Sequence, residues 1–136
     1  MSHFTHMKTS FQNFEYLEKA LNKLNISNYR QENINIKSDT NIQQIDLIIP
    51  QSNNYDLKFS WNGEEYELIA DLMYWDNPYP VETLITSILD QYAKEVIVGE
   101  SSKIGFQPIE LKQNTDGSHT IKLERWNINS KTKIIA

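Results

Sequence analysis

The sequence predicts an α+β fold: an antiparallel sheet of about six to seven strands with two helices on one face, in the order β-α-β-β-β-β-α-β-β. Three observations carry this expectation. Short runs with alternating apolar residues recur along the chain, as in "IQQIDLII" and "YELIADL". Two other stretches, starting near Phe14 and Val81, repeat their apolar residues at helical spacing instead. Asn-Gly and Asp-Gly pairs, at 62–63 and 116–117, separate strand-like runs and mark hairpins.

The elements follow in order. "HFTHMKT" (His3 to Thr9) reads as a first strand. Asn13 is a good N-cap for a helix whose Phe14, Leu17, Ala20, Leu21 and Leu24 form one apolar face. "NINIK" (Asn33–Lys37) and "IQQIDLII" (Ile42–Ile49) read as strands. A two-residue type I′ turn at Asn62-Gly63 then places Trp61 opposite Glu64, Phe59 opposite Tyr66 and Leu57 opposite Leu68. Pro78 keeps Asn77 out of helical geometry, and Pro80 suits the first turn of a second helix. Val81, Leu84, Ile85, Ile88, Leu89, Tyr92 and Val96 make its apolar stripe, with Gly105 as C-terminal cap or Gly99 as an earlier alternative. A closing hairpin with the three-residue loop Thr115-Asp116-Gly117 pairs Leu111 with Ile121.

Composition narrows the function classes. With 136 residues the chain is read as a single domain, 1–136, able to form a core without metal or disulfide. There is no cysteine, which excludes disulfides, thiolate metal sites and thiol nucleophiles. Eighteen acids against thirteen bases give a net charge of −5, which disfavours nucleic acid and anionic membrane surfaces as partners. No apolar run is long enough to insert in a membrane, and the amino terminus lacks the pattern of a signal or transit peptide.

Candidate sites are few. "MYWDNPYPVETL" (Met73–Leu84) sets Tyr74, Trp75 and Tyr79 around Asp76 and two prolines. It reads either as a stiff strand-to-helix corner or as the wall of a site. His3 and His6 lie three apart and would point to opposite faces of a strand, so no joint metal site is expected. Glu64, Glu65, Glu67, Asp71, Asp76 and Glu82 cluster in sequence, but several alternate with inward residues and suit the wet face of a sheet. No Ser-His-Asp arrangement, phosphate loop, dinucleotide fingerprint or zinc spacing occurs, so no catalytic residue and no cofactor is assigned. Arg125 and Trp126 end the last strand, where an arginine stacked on an indole either anchors a partner or simply staples the edge. The expected function is a non-catalytic binding or assembly factor with a protein partner, met by a surface of Trp61, Trp75, Asp76, Tyr79 and Trp126. The alternative is a small-molecule binder or enzyme with a pocket between sheet and helices, Asp71 or Asp76 supplying its polar group. A third arrangement, by analogy, is the half-saddle of TATA-binding domains, which the acidic balance opposes.

The stretches "MSHFTHMKT", "FSWNGEEYELIADLMYWDNPYPVE", "QYAKEV" and "GFQPIELKQNTDGSHTIKLERW" resemble the hypothetical chloroplast reading frame thirty-five family of algal plastids and cyanobacteria. That family is also classed as a domain of unknown function, and the resemblance spans essentially the whole chain. It implies a plastid-encoded protein of the chloroplast stroma, which needs no transit peptide. It carries over no catalytic residue. Lys94 and Glu95 stand where the family's second helix usually has an aromatic residue and a histidine, and an Arg-Gly turn is missing before Ile42.

Overall fold

The computed structural model describes residues 4–34 and 43–125. The elements are β1 (Thr5–Met7), α1 (Phe14–Lys23), β2 (Tyr29–Ile34), β3 (Gln43–Ile49), β4 (Leu57–Trp61) and β5 (Tyr66–Ala70). A 3-10 turn (Leu72–Tyr74) leads to α2 (Val81–Lys103), β6 (Phe106–Gln113) and β7 (His119–Arg125). The fold is α+β. Its strands form two sheets: a five-stranded antiparallel sheet in the order β1-β5-β4-β3-β2, and a separate two-stranded sheet of β6 and β7. The chain groups into two compact units, Met1–Tyr92 and Ala93–Ala136, with the division inside α2.

In the first unit the core lies on one face of the five-stranded sheet. Leu47 pairs with Phe59, Ile49 with Leu57, and Phe59 with Leu68, so these side chains share a face. All of them are buried, with Leu17, Ala20 and Leu21 of α1 and Val81, Leu84 and Ile88 of α2. Each of these side chains except Ala20 contributes roughly 1.5–3 kcal/mol through burial. Phe11 fills the space between, with its ring 5.8 Å from Phe59 edge-on and 5.0 Å from Tyr92. The Tyr92 hydroxyl accepts hydrogen bonds from the backbone N–H groups of Gln12 (3.2 Å) and Asn13 (3.0 Å). The start of α1 is thereby pinned to α2. Asn13 is the N-cap, its side chain accepting the Tyr16 N–H at 3.1 Å. At the other end Asn25 takes φ 58°, and the N–H groups of Ile26 and Asn25 return to the carbonyls of Leu21 and Asn22. This is a Schellman closure with asparagine in the left-handed position.

Several local expectations shift. The β4–β5 turn is a four-residue loop, because Trp61 pairs with Tyr66 and Phe59 with Leu68. The Asn62 side chain accepts the N–H groups of Glu64 and Glu65, both at 2.9 Å, and so holds a wider turn than the two-residue form. The displacement is two residues, which preserves the face of every side chain. The strand expected at 33–37 begins earlier, at Tyr29, and is described to Ile34; residues 35–37 lie outside the described residues. Pro80 sits just before α2, its carbonyl accepting from the Thr83 and Leu84 N–H groups.

In the second unit Leu111 pairs with Ile121, with Gly117 at φ 89° in a three-residue loop closed by Asn114 and Ser118. The ladder slips between Pro108 and Glu110, where proline has no N–H to donate. Side chains along β6 are exposed on both faces after Phe106, Ile109 and Leu111 among them, while Ile121 and Leu123 of β7 are half-buried. Among the described residues no helix is long and apolar enough to cross a membrane.

Candidate functional site

The segment from Asp71 to Pro80 forms a tight corner built from polar contacts. Asp71 is buried and caps the 3-10 turn, its Oδ1 accepting the Met73 N–H at 3.1 Å. Its Oδ2 has no hydrogen-bond partner among the described residues. The Trp75 indole N–H donates to the Tyr79 carbonyl at 2.6 Å, closing the loop around Pro78. The β3–β4 loop then ties the corner from outside. Gln51 Oε1 accepts the Asp76 N–H at 3.1 Å and the Asn77 side-chain amide at 3.3 Å, while its Nε2 donates to the Tyr55 carbonyl. Ser52 Oγ donates to Asp76 Oδ2, and Asn53 Nδ2 donates to the Tyr74 carbonyl at 2.8 Å. The rings of Tyr55 and Tyr74 stack with centroids 3.8 Å apart and planes within 6°. The hydrogen bond with Tyr74 pushes the Tyr55 phenol above its ordinary pKa, and the nearby Asp71 charge adds to this.

This corner presents apolar groups outward. Met73 is 77% exposed, and Leu72, Tyr74, Tyr79 and Tyr55 are also exposed. Behind them a cavity of about 170 Å³ lies between the end of the sheet and the start of α2. Ile49, Leu57 and Leu84 are among its apolar lining, and Gln51, Asp76 and Asn77 are polar groups on it. Asp76 is therefore on a cavity, already engaged by Ser52.

The expected surface residues separate. Trp75, Asp76 and Tyr79 come together in the corner. Trp61 sits at the opposite end of β4, a strand whose five residues span about 13 Å. There its ring lies 5.0 Å from Tyr66, and it lines a different groove of about 670 Å³ with Phe14, Ile45 and Tyr66. Trp126 lies outside the described residues. Arg125, expected beside that indole, places its guanidinium over the Phe106 ring at 5.9 Å. Tyr55, Leu72 and Gln51 complete the corner and were not anticipated; the adjacent Leu72-Met73 after a capping aspartate is the sequence signal for an outward apolar turn. Among the described residues no three His, Asp or Glu side chains converge as a metal site. His6 instead meets Glu67, Nδ1 to Oε1 at 2.8 Å, and this hydrogen bond holds the Glu67 carboxyl below the usual carboxylate range.

Comparison with known proteins finds relatives but no chemistry. The protein named "Uncharacterized protein ycf35" from Trieres chinensis is 54% identical over 121 residues, 88% of this chain and 94% of the relative. Those of the same name from Cyanophora paradoxa and Guillardia theta are 42% and 36% identical, each over 93% of this chain and 98% of the relative. No solved structure matches. The model of the family described as "Protein of unknown function (DUF1257)" matches residues 20–122, and the chain belongs to that family.

Proposed function

We propose that the protein is a non-catalytic binding or assembly factor, and that the Asp71–Pro80 corner is its contact surface for a protein partner. The observation that carries this reading is the pairing of exposure with rigidity. Leu72, Met73, Tyr74 and Tyr79 are exposed, yet the backbone beneath them is fixed by Gln51, Asn53 and the Trp75–Tyr79 bond. An apolar patch held in one shape loses little entropy when a partner covers it. Exposed aromatic and methionine side chains are the types that dominate such contacts. The relatives' shared name, ycf35, supports a plastid setting, and the chloroplast stroma is the compartment proposed.

The test places a photo-crosslinking amino acid at position 73 of the tagged full chain, exposed to stromal extract and to solubilised thylakoids. A single protein species, crosslinked in proportion to the bait and lost in the Leu72→Ser/Tyr79→Ser variant, supports the reading. Equal crosslinking of many proteins, or none in either fraction, refutes it. The cavity of about 170 Å³ favours one rival, a small ligand held between sheet and helices beside Asp76. A metabolite that raises the Tm by mass action and is lost in Asp76→Asn would establish that rival instead.

A further inference from the structure

The face of the five-stranded sheet turned away from the core carries a groove that the corner does not use. The strand pairings line up one row across the whole sheet: His6 opposite Ile69, Ile69 opposite Lys58, Lys58 opposite Ile48, and Ile48 opposite Tyr29. Side chains alternate along a strand, so these five share the face opposite Leu47, Phe59 and Leu68. At the usual spacing of strands the row is about 19 Å long. A groove of about 410 Å³ follows it, and Phe4 also lines the groove, beside His6.

The chemistry along the row is uneven. Ile48 is buried and Ile69 half-buried, which makes an apolar floor. Phe4 and Tyr29, at opposite edges of the sheet, expose 59% and 48% of their surface. Lys58 rises between the two isoleucines, and among the described residues its ammonium has no ion pair or hydrogen bond. Two carboxylates neighbour the row, Asp56 on the groove itself and Glu67 beside His6, and each already accepts a hydrogen bond. Glu67 accepts from His6, and Asp56 Oδ1 accepts the Gln51 N–H at 3.0 Å. Three donors over an apolar floor, flanked by aromatic edges, are complementary to one kind of ligand.

We propose that this groove binds a small organic anion with a flat apolar body, an arylcarboxylate in type. Its carboxylate pairs with Lys58, and its body lies on Ile48 and Ile69 toward the Tyr29 ring. A cavity near 400 Å³ is at the lower end of small-molecule sites, which suits a ligand of one or two rings. This site is independent of the corner and of any protein partner bound there.

The experiment titrates the ¹⁵N-labelled full chain with sodium 1-naphthoate and, separately, with the neutral 1-naphthalenemethanol, following amide shifts. The expected result is saturable shifts at Ile48, Lys58 and Ile69 with naphthoate. Lys58→Gln should weaken naphthoate about tenfold and leave the neutral probe unchanged, while Lys58→Arg retains most of the affinity. The Tm of both variants checks that the fold is kept. Equal affinity for the two probes, or an unchanged naphthoate affinity in Lys58→Gln, overturns the anion assignment. Shifts centred on Trp61 and Tyr66 or on Asp76, or shifts that never saturate, overturn the site itself.

Discussion

Gln51 is the residue on which the shape of the corner turns, and its replacement has a calculable effect. Gln51→Ala removes the acceptor of the Asp76 N–H (3.1 Å) and of the Asn77 amide (3.3 Å), and the donor to the Tyr55 carbonyl. A net hydrogen bond contributes about 0.5–1.5 kcal/mol, and water can replace part of each one at this exposed rim. Two good bonds at the lower end give about 1–2 kcal/mol. The Tm should fall by roughly 3–6 °C, and exchange of the Asp76 amide should quicken about tenfold. Amide hydrogen exchange read by NMR separates this local opening from global unfolding. Gln51→Glu keeps the acceptor but cannot donate to Tyr55, so the Asp76 amide should stay protected while about half the stability loss remains. If Gln51→Ala leaves the Asp76 amide exchanging at its original rate, the β3–β4 loop does not hold the corner, and the rigidity argument for a contact surface fails.

Three further outcomes follow from the first unit. Tyr92→Phe keeps the ring but strips the acceptor from two backbone N–H groups, and should cost about 2 kcal/mol in urea unfolding; a loss below about 0.5 kcal/mol would refute the pinning of α1 to α2. Asn25 stands at φ 58°, so Asn25→Ala should lower stability by about 1 kcal/mol while Asn25→Gly holds or raises it, measured as shifts in the urea midpoint. Arg30 grips Glu18 with two bonds of 2.7 Å, which hold the Glu18 carboxyl below its usual range. A depressed carboxylate stabilises above its unfolded pKa and loses that contribution as pH falls through the folded one. The Tm gap between wild type and Glu18→Gln should therefore be full near neutral pH, narrow as the pH falls through the ordinary glutamate range and close below the depressed folded value; a gap that persists in strong acid excludes the ion pair as its source.

Much of the fold was legible because one-residue periodicities decide which face a side chain takes. Leu47, Phe59 and Leu68 were readable as inward from alternation alone. The register of β4 and β5 was not, because Asn62-Gly63 fits a two-residue turn until the Asn62 side chain captures two N–H groups. The start of β2 at Tyr29 was missed because Arg30 and Glu32 interrupt its inward face with charge, and only the contact with Glu18 on α1 explains an arginine there. The α+β class was legible, but that β6 and β7 pair only with each other was not, since a hairpin signal does not say what else the hairpin pairs with. The corner's aromatics were visible, but its rigidity was not. Gln51 and Ser52 reach Asp76 from about two dozen positions upstream, and no local pattern reports such a contact.

The same geometry separates the two meanings of the corner. Trp75 and Met73 are two positions apart, yet they face opposite demands. Trp75 is half-buried and its indole N–H closes the turn onto Tyr79, so Trp75→Ala should destabilise the fold by about 1–3 kcal/mol. Met73 is 77% exposed, with its side chain in water, so Met73→Ser should change the Tm by less than about 1 °C. If the corner serves only to join β5 to α2, Met73→Ser is silent in every assay. If it is a contact surface, Met73→Ser weakens binding of the partner about tenfold or more at unchanged Tm, as burial of a methionine is worth roughly 1.5–3 kcal/mol. A methionine held outward by polar bonds beneath it adds nothing to the stability of the isolated chain. Its contribution must come from whatever covers it, and a Met73→Ser variant with unaltered capture would remove that reason for the corner's shape.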